Sequence, residues 1–116
     1  DHFAAKRDVA DRFMRAYLKG IRFYVRALKD GKLAGETADE VIPILVEYTS
    51  VKNPDLLRKI TPTGMDPDGR VNIESLQRDV DFYTSQGLVK EKVDVSKIVD
   101  HSFVEAAIKA LGPFKQ

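Results

Sequence analysis

The sequence contains no cysteine and no tryptophan, and none of its apolar runs is long. The absence of cysteine excludes disulfide bonds and thiolate metal ligands. The apolar runs fall far short of the roughly 18 consecutive residues that a transmembrane helix needs. An excess of one charge is also lacking, because 19 lysines and arginines stand against 18 aspartates and glutamates, for a net charge of +1. The charge balance therefore makes no general case for a polyanionic partner.

The residues that are present have the proportions of an ordinary globular domain. Of the 116 residues, 43% are hydrophobic and 32% are charged, which is typical of folded domains. The length predicts a single domain, residues 1–116, helical throughout or a helical fragment. The chain opens on Asp1, His2 and Phe3, with neither an initiator methionine nor a signal peptide. We therefore expect a piece of a longer protein.

Apolar residues recur at helical spacing in every long segment, and no segment is convincing as a strand. The sequence thus predicts an all-α fold, an irregular bundle of about five helices. The first helix is predicted from about residue 5 to residue 30, with Gly31 as its C-cap. Gly20 on its inward face predicts a close approach of another helix. That inward face comprises Val9, Phe13, Ala16, Tyr17, Gly20, Ile21, Tyr24 and Leu28.

Capping residues mark the start of the second and third helices. Thr37 and Glu40 have the spacing of a capping box, which opens the second helix. Pro43 lies inside that helix and predicts either a kink or a later start near residue 42. Asn53 followed by Pro54 predicts the start of a short third helix that runs through residue 60.

The last third of the chain contains three further capping signals. Asn72 is predicted to open the fourth helix, which ends at Gly87 and turns Ile73, Leu76, Val80 and Tyr83 inward. Asp94 is predicted to cap a short turn over residues 96–99. Asp100 or Ser102 is predicted to open the last helix, and Gly112-Pro113 to end it.

Basic residues form a second pattern on the first helix. They recur at spacings of 3 and 4, which places them in one line along the helix. Such a line could neutralise phosphates of a nucleic acid, but it is also typical of a solvated helix face, and we expect no nucleic-acid partner because the whole chain is nearly neutral. The basic stripe comprises Arg12, Arg15, Lys19, Arg22, Arg26 and Lys29.

The segment from Asp66 to Val71 partly matches a calcium-binding EF-hand loop. With Asp68 and Gly69 at loop positions 5 and 6, Val71 falls at position 8, as the motif requires. Positions 1 and 12 then become Gly64 and Ser75, so both obligatory carboxylates are missing. We therefore predict a turn that leads into the fourth helix, and no metal site.

No arrangement of residues predicts catalysis. His101 lies beside Asp100 and near Glu105, where capping and surface roles explain these residues better than an acid–base pair. Asp79 and Asp81 do not share a helix face. Motifs for nucleotide binding, serine hydrolysis and zinc proteolysis are absent. We expect no enzyme, no catalytic or metal-binding residue and no cofactor, and the ligand-binding residues stay unknown.

Five segments in this order resemble the C-terminal part of ABC-transporter substrate-binding proteins of the nitrate/sulfonate/taurine type. The segments are VADRFMRAYLKG (9–20), VIPILVEYT (41–49), MDPDGRVNIESLQ (65–77), QGLV (86–89) and VDHSFVEAA (99–107). Together they extend over nearly the whole chain. Pro43 departs from the family pattern, which generally has an ordinary helix former there.

The resemblance implies a fold, a function and a compartment. The parent would be a periplasmic or otherwise extracytoplasmic solute-binding protein whose two α/β lobes close over a small solute and deliver it to an ABC permease. This chain would be its C-terminal helical segment, non-catalytic, with the missing N-terminal lobes as its partner. The resemblance assigns no ligand-contacting residue to any position here.

Two alternatives concern partners. The chain could be a self-contained helical interaction module that binds nucleic acid or an acidic protein through the basic face of the first helix. As an isolated fragment, it is also expected to self-associate as a homodimer. The predicted contact is the apolar face of the first helix, because large exposed apolar patches tend to find partners.

Overall fold

The computed structural model describes residues 5–115. This part of the chain folds into five α-helices, one short hairpin and one 3₁₀ turn, which confirms the predicted helical class. The helices are α1 (Arg7–Arg26), α2 (Ala38–Tyr48), α3 (Pro54–Lys59), α4 (Ile73–Ser85) and α5 (Ser102–Leu111). The hairpin strands are β1 (Leu28–Lys29) and β2 (Lys32–Leu33), and the 3₁₀ turn is Val95–Lys97.

The hairpin corrects the predicted end of the first helix. Helix α1 stops at Arg26, and the next residues form an antiparallel pair in which Leu28 lies opposite Leu33. The turn residues Asp30 and Gly31 both have positive φ, 51° and 72°. Two successive positive φ values suit the right-handed twist of a two-residue hairpin, and Asp-Gly is a preferred pair there. The prediction of a chain without strands was therefore wrong at this point.

The inward face of α1 also differs from the predicted one. Ala10, Leu18 and Ile21 are buried and Met14 is half-buried, and this face packs against α5, where Val104 and Ala107 are buried. Of the predicted inward face, only Ile21 is buried. Both sets of residues have helical spacing, but they lie roughly 100° apart around the helix at about 100° per residue.

The second buried cluster surrounds the hairpin. Ala27 and Leu33 pack with residues of α2 and α3, and half-buried apolar side chains cover them. Helix α2 begins at Ala38 and continues past Pro43, so the alternative of a start near residue 42 was wrong. The buried members of the cluster are Ala27, Leu33, Ala38, Val41, Ile42 and Leu57.

The predicted caps are only partly confirmed, and the prediction of Gly31 as the C-cap of the first helix was wrong, because Ala27 takes that position. The Asn53 side chain accepts hydrogen bonds from the N–H groups of residues 55 and 56, and the Asn72 side chain accepts one from residue 75.

Asp94 caps the 3₁₀ turn and accepts from the Ser96 N–H. The N-cap position of α5 is His101, so the prediction of Asp100 or Ser102 as its cap was wrong, although the Asp100 carboxylate accepts from the Ser102 N–H. The side-chain cap predicted for Thr37 is also absent, since its hydroxyl donates to the Phe23 carbonyl at 2.7 Å rather than capping α2.

Helix α4 lies at the periphery of the fold. None of its residues is buried; Ile73, Leu76 and Val80 are half-buried, while Tyr83 is exposed, so the predicted inward face is only partly covered. The Gln77 side chain joins α4 to the segment that precedes the 3₁₀ turn. It donates to the Val93 carbonyl and accepts from the Val95 N–H, both at 2.9 Å.

Candidate functional site

The segment between α3 and α4 contains a tight turn that reaches α1 and α5. The Asp66 carboxylate accepts a hydrogen bond from the Asp68 N–H at 2.7 Å, and the Gly69 N–H donates to the Asp66 carbonyl at 2.9 Å. An aspartate that bonds to its own backbone two residues on is a common way to stabilise such a turn. The turn presents the Asp68 side chain to α1.

An ionic cluster, consisting of Arg22, Asp68, Arg70 and Glu105, joins this turn to two helices. Arg22 Nη2 donates to Asp68 Oδ1 at 2.7 Å, and the two side chains are only 11% and 17% exposed. Arg70 lies 3.4 Å from the other oxygen of Asp68 and donates to Glu105 Oε1 at 2.8 Å. Because Arg22 and Glu105 belong to α1 and α5, the cluster fixes the turn across both helices.

The C-terminal segment also contacts this cluster. The Arg22 guanidinium donates to the Gly112 carbonyl at 2.6 Å, and the Phe114 N–H donates to Asp68 Oδ1 at 3.0 Å. Arg26 lies over the Phe114 ring, with its guanidinium carbon 5.4 Å from the ring centroid. The charged and polar groups of Arg22 and Asp68 therefore satisfy each other and the backbone around them, as groups shielded from water require.

Two carboxyl groups of the ionic cluster, those of Asp68 and Glu105, have lowered pKa values. Desolvation raises the pKa of Asp68, but the hydrogen bonds from Arg22 and from the Phe114 N–H, together with the charges of Arg22 and Arg70, outweigh it and leave that pKa below its usual value. The hydrogen bond from Arg70 lowers the pKa of Glu105. Perturbed groups can mark functional sites, but structural ion pairs shift pKa values in the same way.

Gly69 allows the turn to sit directly on the α1–α5 interface. Its φ is +70°, and a Cβ atom there would lie 3.1 Å from Leu18 Cδ1 and 3.3 Å from Val104 Cγ2. Glycine is favoured for both reasons, since other residues rarely adopt positive φ and carry the extra carbon. The ionic cluster and this contact together make the turn a structural clamp.

The residues considered for metal binding and acid–base chemistry take structural roles. Asp68 faces Arg22 rather than an open cation position. His101 Nε2 accepts a hydrogen bond from the Val71 N–H at 3.2 Å, and Glu105 pairs with Arg70. Among residues 5–115, no group of three or more histidine, aspartate or glutamate side chains has a geometry that could hold a metal ion. His2 lies outside the described residues.

An exposed apolar stripe, consisting of Val9, Phe13 and Tyr17, runs along the first half of α1. These side chains are 46%, 60% and 52% exposed. The rings of Phe13 and Tyr17 are parallel, with centroids 6.2 Å apart. Large apolar side chains that adjoin one another on a surface are more informative than scattered ones, because they indicate a surface that contacts something.

The stripe leads into an apolar cleft of about 660 Å³ between α1, α2, α3 and residues 60–65. Tyr17 belongs to both the stripe and the cleft wall. The Tyr24 hydroxyl in the wall donates to the Thr63 carbonyl at 2.8 Å, and burial raises the pKa of Tyr24. Gly20 lines the cleft, and a Cβ atom there would meet nothing within 4 Å. The predicted close approach of a helix at Gly20 was therefore wrong.

The basic stripe of α1 is divided by the structure. Arg22 forms an ion pair with Asp68, and Arg15 is half-buried. The four other members are exposed: Arg12, Lys19, Arg26 and Lys29. Arg12 lies 3.8 Å from Asp8, and because both side chains are exposed, this ion pair contributes little to stability. Sequence reasoning included Arg22 in the stripe and missed its partner, because 46 residues separate Arg22 from Asp68.

Comparison of the chain with known proteins finds no matching family model, no similar curated protein and no similar solved structure. Within residues 5–115, no helix is both long enough and apolar enough to cross a bilayer. The function proposed below therefore depends on the order of the sequence motifs and on the exposed surfaces of the fold.

Proposed function

We propose that this chain is the C-terminal helical segment of an extracytoplasmic solute-binding protein for ABC-type import of a small solute. Sulfonates and nitrate are the solute classes that the resemblance names. In this role the segment is non-catalytic and packs against the α/β lobes of its parent protein, which bind the solute. Its location is periplasmic or otherwise extracytoplasmic, and the permease is a partner of the whole parent.

The observation that carries the proposal is the second apolar face of α1. One face of this helix packs on α5, while the exposed apolar stripe and the adjoining cleft are open. A helix with two apolar faces is typical of an element that lies between two layers of structure. Packing of the second face against a neighbouring lobe would give it the missing layer.

The ionic cluster supports the same role. It consists of arginine–carboxylate pairs and backbone groups that satisfy one another, and it fixes the turn at residues 66–70 across α1 and α5. Such a clamp gives the segment a rigid shape before it contacts another surface. A rigid packing element needs no catalytic group, which agrees with the structural roles of His101 and Glu105.

The test compares the chain alone with the complete polypeptide encoded in the same reading frame. We expect the complete polypeptide to contain two α/β lobes and to bind taurine, another alkanesulfonate or nitrate in isothermal titration calorimetry. The chain alone should bind none of them. A complete polypeptide without α/β lobes, or solute binding by the chain alone, would contradict the proposal.

A self-contained interaction module is the second candidate. The observation in its favour is that Arg12, Lys19 and Arg26 stay exposed on α1, and Lys29 stays exposed on strand β1 that follows it. Titration with duplex DNA at low and moderate salt tests it. Tight binding that weakens steeply with salt, and that is lost in the double variant R12E/K19E, would favour this candidate.

A further inference from the structure

The exposed apolar stripe and the cleft form one continuous surface along α1. From Val9 to Tyr24 the helix rises by about 22 Å at about 1.5 Å per residue. Tyr17 joins the stripe to the cleft, and the spacing of 4 residues between Val9, Phe13 and Tyr17 aligns the side chains. An elongated apolar surface of this length matches an amphipathic helix of about four turns.

The polar groups around the cleft do not call for a polar occupant. The Tyr24 hydroxyl is bonded to the Thr63 carbonyl, the Thr49 hydroxyl to the Leu45 carbonyl, and the Thr61 hydroxyl to Lys32. What remains open to an occupant is mainly apolar: tyrosine rings, aliphatic side chains and Met65. Apolar side chains that project from a partner can fill such a cleft without leaving a donor or an acceptor unpaired.

Charge distinguishes between occupants of the stripe. Arg12 and Lys19 lie on the flank of the stripe that faces away from α5, by the 100° helical progression. The opposite flank is formed by the buried face and the cleft, which contribute no acidic residue. That flank also holds Asp8, 3.8 Å from Arg12, so its charge is two cations against one carboxylate. The stripe therefore has one edge of net positive charge, and acidic residues on a partner would complement it.

The same charges disfavour a second copy of this chain on the stripe. In an antiparallel twofold pairing of two α1 helices, the same flanks face each other, so Arg12 and Lys19 of one copy would lie beside those of the other. A parallel pairing sets the basic flank against a flank without acidic residues. Asp8 also lies on this flank, but it is already within 3.8 Å of Arg12 of its own chain. Two cations and one carboxylate from each copy would therefore meet in the antiparallel pairing, and the excess of like charge opposes association.

The shape of the surface disfavours a lipid bilayer. Basic and aromatic residues along one helix are typical of helices that lie on anionic membranes. Here, however, the stripe continues into a concave cleft of about 660 Å³, which a bilayer surface cannot enter as projecting side chains of a folded partner can. A protein helix is the occupant that fits both the concave end and the basic edge.

We infer that the exposed apolar stripe and the cleft receive an amphipathic helix whose apolar ridge is bordered by acidic residues. This deepens the proposed function, on which it rests for placing that helix in the same parent polypeptide. The apolar ridge packs on Val9, Phe13 and Tyr17, one of its side chains enters the cleft, and the acidic border faces Arg12 and Lys19.

Two synthetic helical peptides of about 16 residues test this inference on the purified chain. Both have leucine at positions i, i+3, i+4 and i+7; one has glutamate on the border of this ridge and the other has lysine. Fluorescence anisotropy should show binding of the glutamate peptide at least tenfold tighter than that of the lysine peptide. The double variant R12E/K19E should reverse this preference. Equal affinities for the two peptides would overturn the inference.

Two aromatic double variants separate the stripe from apolar exposure in general. F13S/Y17S should weaken binding of the glutamate peptide at least tenfold, whereas F82S/Y83S, which removes an equally exposed aromatic pair on α4, should leave it unchanged. Circular dichroism verifies that each variant is folded. Equal losses in both variants would overturn the inference.

Two further measurements assign the surface to another occupant if the inference is wrong. Sedimentation of the chain with phosphatidylglycerol vesicles tests a membrane, and analytical ultracentrifugation over a range of concentrations tests a homodimer. Association that F13S/Y17S abolishes, in either experiment, would overturn the inference. The peptide experiment uses this chain alone and the solute experiment uses the complete polypeptide, so failure of one is distinguishable from failure of the other.

Discussion

At the scale of single residues, Asp68 and Gly69 determine how the turn between α3 and α4 attaches to the helices. Asp68 supplies a carboxylate that is 17% exposed and bonded to Arg22 and to the Phe114 N–H. Gly69 adopts a positive φ and has no side chain that would collide with Leu18 and Val104. The two contributions are independent, since one is electrostatic and the other steric, so substitutions can measure them separately.

We predict that Asp68 makes the fold less stable in acid. Its folded pKa lies below the usual value of an unfolded aspartate, about 3.9. As the pH falls, the unfolded chain therefore binds this proton first. The ionised Asp68 contributes stability above about pH 4, and the contribution is lost as the pH falls through the lower folded pKa. Urea unfolding between pH 7 and pH 2.5 measures this loss.

The variant Asp68→Asn separates this contribution from that of other carboxyl groups. It should be about 1–3 kcal/mol less stable at pH 7, because Arg22 keeps its charge in a mostly shielded position without a carboxylate. Its stability should also fall less between pH 7 and pH 2.5. Asp79→Asn, at an exposed position on α4, serves as the control and should differ little from the parent chain. Identical acid profiles for both variants would contradict the prediction.

We predict that Gly69→Ala destabilises the fold more than Gly87→Ala does. Both glycines have nearly the same φ, +70° and +71°, so both substitutions carry the conformational cost of about 1 kcal/mol. Only at Gly69 does the new Cβ meet Leu18 and Val104, whereas Gly87 has open space. Thermal unfolding should show a larger decrease in Tm for Gly69→Ala. Equal decreases would mean that the turn moves away from the interface without cost.

At the scale of elements, helix α1 has three faces with different surroundings. One face packs on α5, a second carries the basic stripe, and a third carries the exposed apolar stripe that ends in the cleft. Gly20 lies at this end without a contact for its missing side chain. A glycine inside a helix lowers stability relative to alanine, and the cleft leaves room for a side chain at this position.

We predict that Gly20→Ala stabilises the chain by about 0.5–1 kcal/mol, because alanine has the higher helix propensity and its Cβ has room. The reverse substitution Ala16→Gly, on the same exposed face, should destabilise by a similar amount. Urea unfolding measures both. A stability decrease in Gly20→Ala would show that the backbone at this position needs glycine for a reason other than open space.

At the scale of the whole molecule, burial is unevenly distributed. The hairpin cluster and the α1–α5 interface hold nearly all of the buried side chains of residues 5–115, while α4 holds none. Large exposed apolar residues are more widely spread: Tyr48 at the end of α2 is 77% exposed, Leu88 after α4 is 72% exposed and Ile98 is 68% exposed. The molecule thus has a packed part and a peripheral part.

We predict that this difference appears in native-state hydrogen exchange. Amides in the middle of α4 should exchange through local openings of low free energy, and those of α1 and α2 only through larger unfolding, because few contacts must break to open α4. Gln77→Ala should reduce the protection of α4 further, since it removes the hydrogen bonds to residues 93 and 95. Equal protection in α4 and α2 would contradict the prediction.

Local signals in the sequence determined the helical class and most helix boundaries. Asn53, Asn72 and Asp94 cap the elements that they were predicted to cap, because a cap depends only on residues two or three positions away. The hairpin also had a local signal in Asp30-Gly31, but the helical spacing that continues to Leu28 obscured it. The helical spacing predicted a helix through residue 30, whereas the Asp-Gly pair favoured a turn, and the structure has the turn.

Only the tertiary structure decided which surfaces are buried and which side chains meet. Helix α1 has two apolar faces with equally good spacing, and contact with α5 and with the turn at Gly69 buried the one that contains Leu18. Arg22 was indistinguishable from the other members of the basic stripe until the fold brought Asp68 within 2.7 Å. Periodicity identifies faces but not their partners, because the partner is set by residues that are distant in the chain.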